Sequence, residues 1–132
     1  MKYLLDTHTL LWTIGKSEKL SADANKTIRN QGNDIYVSAV SLWEIAIKCR
    51  IEKLDLDGLE PEEILGLIEK MEFELIGLSP EEAISYGQLA ETTHKDPFDR
   101  MLIWQSIKRK MILISKDHEF KKFEKYGLKL FW

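Results

Sequence analysis

Apolar positions change period several times along the chain, and each change marks an element. Residues 2–6 (KYLLD) form a short apolar run closed by a carboxylate, which predicts a buried strand, and residues 7–14 (THTLLWTI) then carry apolar side chains at helical spacing up to Gly15. Ser21 can cap a helix over residues 22–30, ended by Gly32. Residues 35–38 (IYVS) are β-branched and aromatic, the composition of a second buried strand. Residues 40–53 read as a long amphipathic helix, with Leu42, Ile45, Ala46, Cys49 and Ile51 as its apolar stripe. Pro61 opens a helix through residue 71, and residues 73–78 (FELIGL) alternate like a strand. Ser79, Pro80 and Glu82 supply a cap, a first-turn proline and the glutamate of a capping box, predicting a helix over residues 80–92. Pro97 opens a helix over 98–110, residues 111–115 (MILIS) form a fourth strand, and residues 127–131 (GLKLF) a fifth. Strands alternating with helices predict the α/β class, with a mostly parallel five-stranded sheet covered on both faces. No repeat, low-complexity tract or long linker divides the chain, so one domain over residues 1–132 is expected.

Composition narrows the chemistry. A chain of 132 residues with 44% hydrophobic and 31% charged side chains can bury a core without disulfide or structural metal. Its one cysteine, Cys49, excludes an internal disulfide framework and a cysteine-based zinc site, and reads as a packing residue. Asp6 and His8 interrupt the apolar start, and no apolar run approaches the ~20 residues of a membrane span, so a cytoplasmic protein with no membrane partner is expected. The net charge of −3 argues against nucleic acid only as an average. Residues 1–50 carry seven basic and five acidic side chains, residues 51–94 two and twelve, and residues 95–132 ten and five. The acidity belongs to the middle, where Glu60, Glu62, Glu63, Glu69, Glu72 and Glu74 read as a solvated helical face or a surface for a basic partner.

In a parallel sheet, sites form beyond the carboxyl ends of the strands. Asp6 closes the first strand, Asp117 follows the fourth, Asp99 lies in the first turn of the helix opened by Pro97, and Glu44 interrupts an apolar helix between Trp43 and Ile45. Each has a plain structural reading as well. Asp6 can cap a helix, Asp99 can complement a helix dipole, Asp117 can form a turn, and Glu44 can pair with Lys48 one turn on. Taken jointly, four carboxylates that converge must be neutralised by cations, and oxygen ligands without a Cys or His cluster favour Mg²⁺ or Mn²⁺. One or two such ions imply hydrolysis of a phosphodiester. Motifs for nucleotide binding, zinc proteolysis and serine hydrolysis are absent. His8, His94 and His118 are too dispersed to read as a metal cluster, and Trp12, Trp43 and Trp104 read as packing residues on helices.

These segments resemble the PIN-domain ribonucleases, and among them the VapC-type toxins of bacterial toxin-antitoxin pairs. The resemblance runs along essentially the whole chain, through YLLDTHTLLW with Asp6, VSAVSLWEIAIK with Glu44, HKDPFDRMLIWQSI with Asp99 and LISKDHEF with Asp117. It implies an α/β/α sandwich with strand order 3-2-1-4-5 and a Mg²⁺- or Mn²⁺-dependent endoribonuclease. It also implies neutralisation by a cognate antitoxin, and a homodimer that joins the antitoxin in a heterotetramer or larger assembly. By position, Asp6, Glu44, Asp99 and Asp117 match the acidic site as catalytic, metal-holding residues. Asp96, Ser115, Arg100 and Thr7 are candidates for supporting roles, Arg100 by orienting a carboxylate or holding a phosphate. The basic C-terminal third, including Lys108, Arg109, Lys110, Lys121, Lys122, Lys125 and Lys129, is a candidate contact for RNA phosphates.

Two other readings remain open at the level of sequence. A receiver-type phosphoacceptor domain also has a small α/β fold with an acidic Mg²⁺ pocket. It needs an acidic pair after the first strand and an aspartate after a middle one, whereas Thr7 follows Asp6 and Ser38 closes the second strand. A catalytically inactive PIN-like module that only binds an antitoxin is the other.

Overall fold

The first strand predicted from sequence becomes the centre of the sheet. The computed structural model covers residues 1–132 and contains strands β1 (Lys2–Leu5), β2 (Asp34–Ser38), β3 (Glu74–Ile76), β4 (Ile112–Ile114) and β5 (Lys129–Phe131). They lie in the order β3-β2-β1-β4-β5, and every neighbouring pair is parallel. Doubly wound receiver-type sheets run 2-1-3-4-5, so this order removes the phosphoacceptor reading. No helix is long and apolar enough to cross a membrane.

Six α-helices cover the sheet: α1 (Thr7–Gly15), α2 (Ala22–Arg29), α3 (Ala39–Arg50), α4 (Glu63–Lys70), α5 (Pro80–Ser85) and α6 (Pro97–Arg109). Alternation along the strands feeds two cores. Tyr3 and Leu5 of β1 join Leu10, Ala24, Ile28, Ile64 and Ile68 on one face. Leu4, between them in sequence, joins Leu102, Ile103, Leu113, Phe120 and Phe123 on the other. A strand buried on both faces explains the uninterrupted apolar run read in the sequence.

Local signals were sound where they acted locally. Ser21 caps α2 through Ala24 N–H at 2.9 Å, and Ser79 and Glu82 form the expected reciprocal box on α5. Several boundaries differ. The helix expected over 80–92 stops at Ser85, passes through a 3₁₀ turn at Tyr86–Gln88 and becomes irregular. The guanidinium of Arg100 donates to the carbonyls of Leu89, Glu91 and His94, so these acceptors serve a distant side chain instead of a continuing helix. The strand expected over 73–78 shortens to three residues at an exposed edge. Residues His118–Tyr126 wind into a 3₁₀ helix that buries Phe120 and Phe123, whose spacing of three matches that period. Trp43 is 62% exposed, and Ala46 and Ile51 also face outward, so these three leave the predicted apolar set. The six glutamates of the acidic middle named above are all exposed.

A candidate acidic active site

Asp6 leaves β1 and caps α1, its Oδ1 accepting Thr9 N–H at 2.7 Å. The Thr9 hydroxyl donates to the carbonyl of Ile114 at 2.9 Å, tying α1 to the end of β4. Because β1 and β4 are parallel neighbours, their carboxyl ends open at the same edge, and Asp117 follows there after Ser115 and Lys116. Ser38 begins α3 by accepting Val40 N–H, and that helix carries Glu44. On the other flank, Asp96 caps α6 by accepting the N–H groups of Phe98 and Asp99 at 2.8 and 3.0 Å. The long helix thus starts with Asp99 in its first turn.

These elements enclose one pocket of about 310 Å³, lined by Asp6, Glu44, Asp96, Asp99 and Asp117 together with His8, Trp12, Lys48, Lys116 and Phe120. A larger cleft of about 740 Å³ lies elsewhere, lined by Asn25, Arg29, Asn33 and Asp34 among others, and gathers none of these acids. All four carboxylates selected from sequence therefore line one pocket, together with Asp96.

The pocket is electrostatically unsettled. Burial pushes the Asp6 carboxyl above its usual value, against the opposing pull of hydrogen bonds from Ser115 and Thr9. Burial likewise raises Asp99 to about 6, with Asp96 and Glu44 adding repulsion and His94 opposing the rise. Glu44 is buried. Its Oε1 accepts the Thr7 hydroxyl at 2.6 Å, that hydroxyl lies 3.0 Å from Ser41 Oγ, and Oε2 pairs with the Lys48 ammonium. The Ser115 hydroxyl, also buried, accepts Asp117 N–H at 3.1 Å. Thr7 and Ser115 thus touch the acids they were expected to support.

Arg100 does not. It points away into the loop of residues 89–94, with Glu91 Oε1 3.9 Å from its guanidinium, and it does not line the pocket. The carboxylate it steadies is a structural one. His94, which the sequence reads as too dispersed for a metal cluster, has its Nε2 3.0 Å from Asp99 Oδ2, and its ring packs edge-on against Phe120 and Phe123. Its place two residues before the cap of α6, within reach of the first helical turn, was the signal for this pairing.

The pocket suits a hard divalent cation, because five carboxylates line it, His8 is the one imidazole among the lining residues and no cysteine is present. No three of the chain's acids, histidines and cysteine converge closely enough to close such a site unaided. Glu44 and Asp99 are instead engaged by Lys48 and His94.

Fold and pocket together define a PIN-type arrangement, with acids gathered at the carboxyl edge of a parallel 3-2-1-4-5 sheet. The PIN domain family model matches residues 3–126, and the chain belongs to that family. PIN domains are in general nucleases that depend on divalent metal ions. The fold is similar to that of VapBC2 from Rickettsia felis bound to a promoter DNA fragment, with a TM-score of 0.72 at 20% identity over 99% of this chain and 98% of that one. DNA-bound VapBC from Salmonella typhimurium gives a TM-score of 0.67 at 22% identity, over 99% and 97% of the two chains. FitAcB from Neisseria gonorrhoeae gives 0.60 at 16% identity, over 98% and 96%. The likeness to VapC-type PIN toxins read from the sequence is borne out. No curated protein matches the sequence.

Proposed function

We propose that this chain is a VapC-type toxin, a metal-dependent endoribonuclease that hydrolyses RNA phosphodiester bonds and is neutralised by a cognate antitoxin. The observation that carries the reading is that Asp6, Glu44, Asp96, Asp99 and Asp117 line one pocket at the carboxyl edge of β1 and β4. Asp6, Glu44, Asp99 and Asp117 hold one or two Mg²⁺ or Mn²⁺ ions. When bound, these ions supply Lewis acidity toward a phosphodiester and charge for its leaving oxygen.

The chain's own groups do the rest. Thr7 orients Glu44 and Ser115 steadies Asp6, so that both acids would present fixed geometry to a bound ion. Asp96 sets the start of α6 and with it the place of Asp99. Lys116, exposed at the rim with its ammonium 5.7 Å from the Trp12 ring, is placed to meet an RNA phosphate, and the basic residues beyond it extend that attraction. The structural neighbours are toxin-antitoxin complexes, which supports an antitoxin partner for this chain. A homodimer, assembling further with the antitoxin in the cytoplasm, completes the reading.

The test is cleavage of total RNA by the purified protein with Mg²⁺ or Mn²⁺ and with EDTA. Asp6→Asn and Asp99→Asn each delete a ligand charge at nearly constant size, so cleavage should fall by about a hundredfold or more while far-UV circular dichroism is unchanged. Undiminished metal-dependent cleavage by both variants would overturn the site. A wild type that binds an antitoxin but cuts no RNA under any metal would instead be the inactive binding module.

A further inference from the structure

Lys48 is the only lysine or arginine that pairs with an acid of the pocket. Its spacing of four residues from Glu44 is that of an ordinary surface pair on a helix, but the surroundings are not ordinary. Glu44 is 3% exposed, and Lys48 lines the pocket beside Asp96 and Asp99, both of which attract its charge. Each oxygen of Glu44 already has a partner: Thr7 holds Oε1 and Lys48 holds Oε2. A divalent ion that coordinates Glu44 on the side of Oε2 competes with the ammonium for that oxygen and repels its like charge across the same carboxylate. The Lys48 side chain is 35% exposed, which leaves its flexible stem room to swing toward the rim.

Resting on the reading of this pocket as a metal site, we propose that Lys48 is its resident counter-ion, occupying the place of a divalent cation on Glu44 and yielding it on loading. The ammonium prevents an uncompensated buried carboxylate in the metal-free protein, and by competing for Oε2 it sets how much free ion the site needs. Lys48 thus tunes metal affinity, a role separate from that of the acids themselves.

The experiment compares Mn²⁺ binding by electron paramagnetic resonance, and the melting temperature with and without Mn²⁺, for the wild type, Lys48→Gln, Lys48→Arg and Asp6→Asn. Lys48→Gln should bind Mn²⁺ about tenfold more tightly than the wild type. It should melt lower without metal and gain more on Mn²⁺ addition. Lys48→Arg, which keeps the charge, should restore wild-type affinity. Unchanged or weakened binding in Lys48→Gln, with intact binding in the wild type and a loss in Asp6→Asn, overturns this inference and leaves the metal site standing. Absence of Mn²⁺ binding by the wild type, or equal binding by Asp6→Asn, overturns both. If Lys48→Gln does not fold, the wild type decides: saturating Mg²⁺ should shift the Lys48 side-chain NMR signals, identified by their loss in Lys48→Arg, and unmoved signals overturn the inference.

Discussion

Two groups of buried or partly buried acids in this molecule face opposite electrostatic fates. Glu82 and Glu91 lie beneath α6, and Asp6 and Asp99 lie at the edge of the sheet. Glu82 accepts hydrogen bonds from Arg109 at 2.6 and 2.9 Å and from Gln105 at 3.1 Å, and the guanidinium beside it holds its carboxyl down at about 2. Burial by itself would raise Glu91, but N–H groups of His94 and Thr93 and the Thr93 hydroxyl outweigh it and bring that carboxyl to about 2 as well. Asp6 is buried and Asp99 partly so, and at both desolvation outweighs the donors that face them, so both carboxyls are pushed up. A buried acid whose charge is fully answered by the protein is a scaffold element. One left under-compensated carries its charge at a cost, which a cation arriving from outside would relieve.

The sharpest way to break the first group is through Arg100. Replacing it by Met removes donors from the carbonyls of Leu89, Glu91 and His94 and takes the nearest cation from Glu91, so chemical denaturation should show a loss of about 3 kcal/mol. The same variant should loosen the loop that carries His94, visible as faster amide exchange across residues 89–94.

Glu82→Gln is milder. It keeps the shape and one acceptor but deletes the charge facing half-buried Arg109, for an expected loss of about 1–2 kcal/mol at neutral pH.

The smallest effect is the most diagnostic, because the two groups respond to pH with opposite signs. The Glu82 carboxyl lies below its ordinary value of 4.5, so its contribution to stability is present above that pH and lost as pH falls toward about 2. The Asp99 carboxyl, at about 6, lies above its ordinary 3.8, so its contribution is present below that pH and lost as pH rises through about 6. Metal-free protein should thus lose about 1 kcal/mol between about pH 4 and 7 from this residue, after allowance for its partial exposure. Asp99→Asn should reduce that slope and leave the share that belongs to Asp6, and Glu82→Gln should flatten the acid limb instead. Thermal unfolding in EDTA across the range checks both.

What the sequence made legible was whatever depends on near neighbours. The capping box at Ser79 and Glu82, the cap at Ser21 and the acids at strand exits are all decided within a few residues, and all stand in the structure. The true length of α5, the orientation of Arg100 and the pairing of His94 with Asp99 depend on a loop folding back over α6, which no local period encodes. Trp43 illustrates the same limit. Its helical spacing suggested packing, but its ring stands largely in solvent with Phe98 as an edge-on neighbour 5.4 Å away.

The central position of β1 also bears on the order in which the molecule can be made. Its partners are β2, which follows within 40 residues, and β4, which emerges only after residue 110. Until β4 is synthesised, one side of β1 has no strand to pair with and Asp6 has no Asp117 across from it. The carboxylate pocket therefore comes into being late in translation, and a growing chain on the ribosome carries Asp6 and Glu44 long before it carries a site.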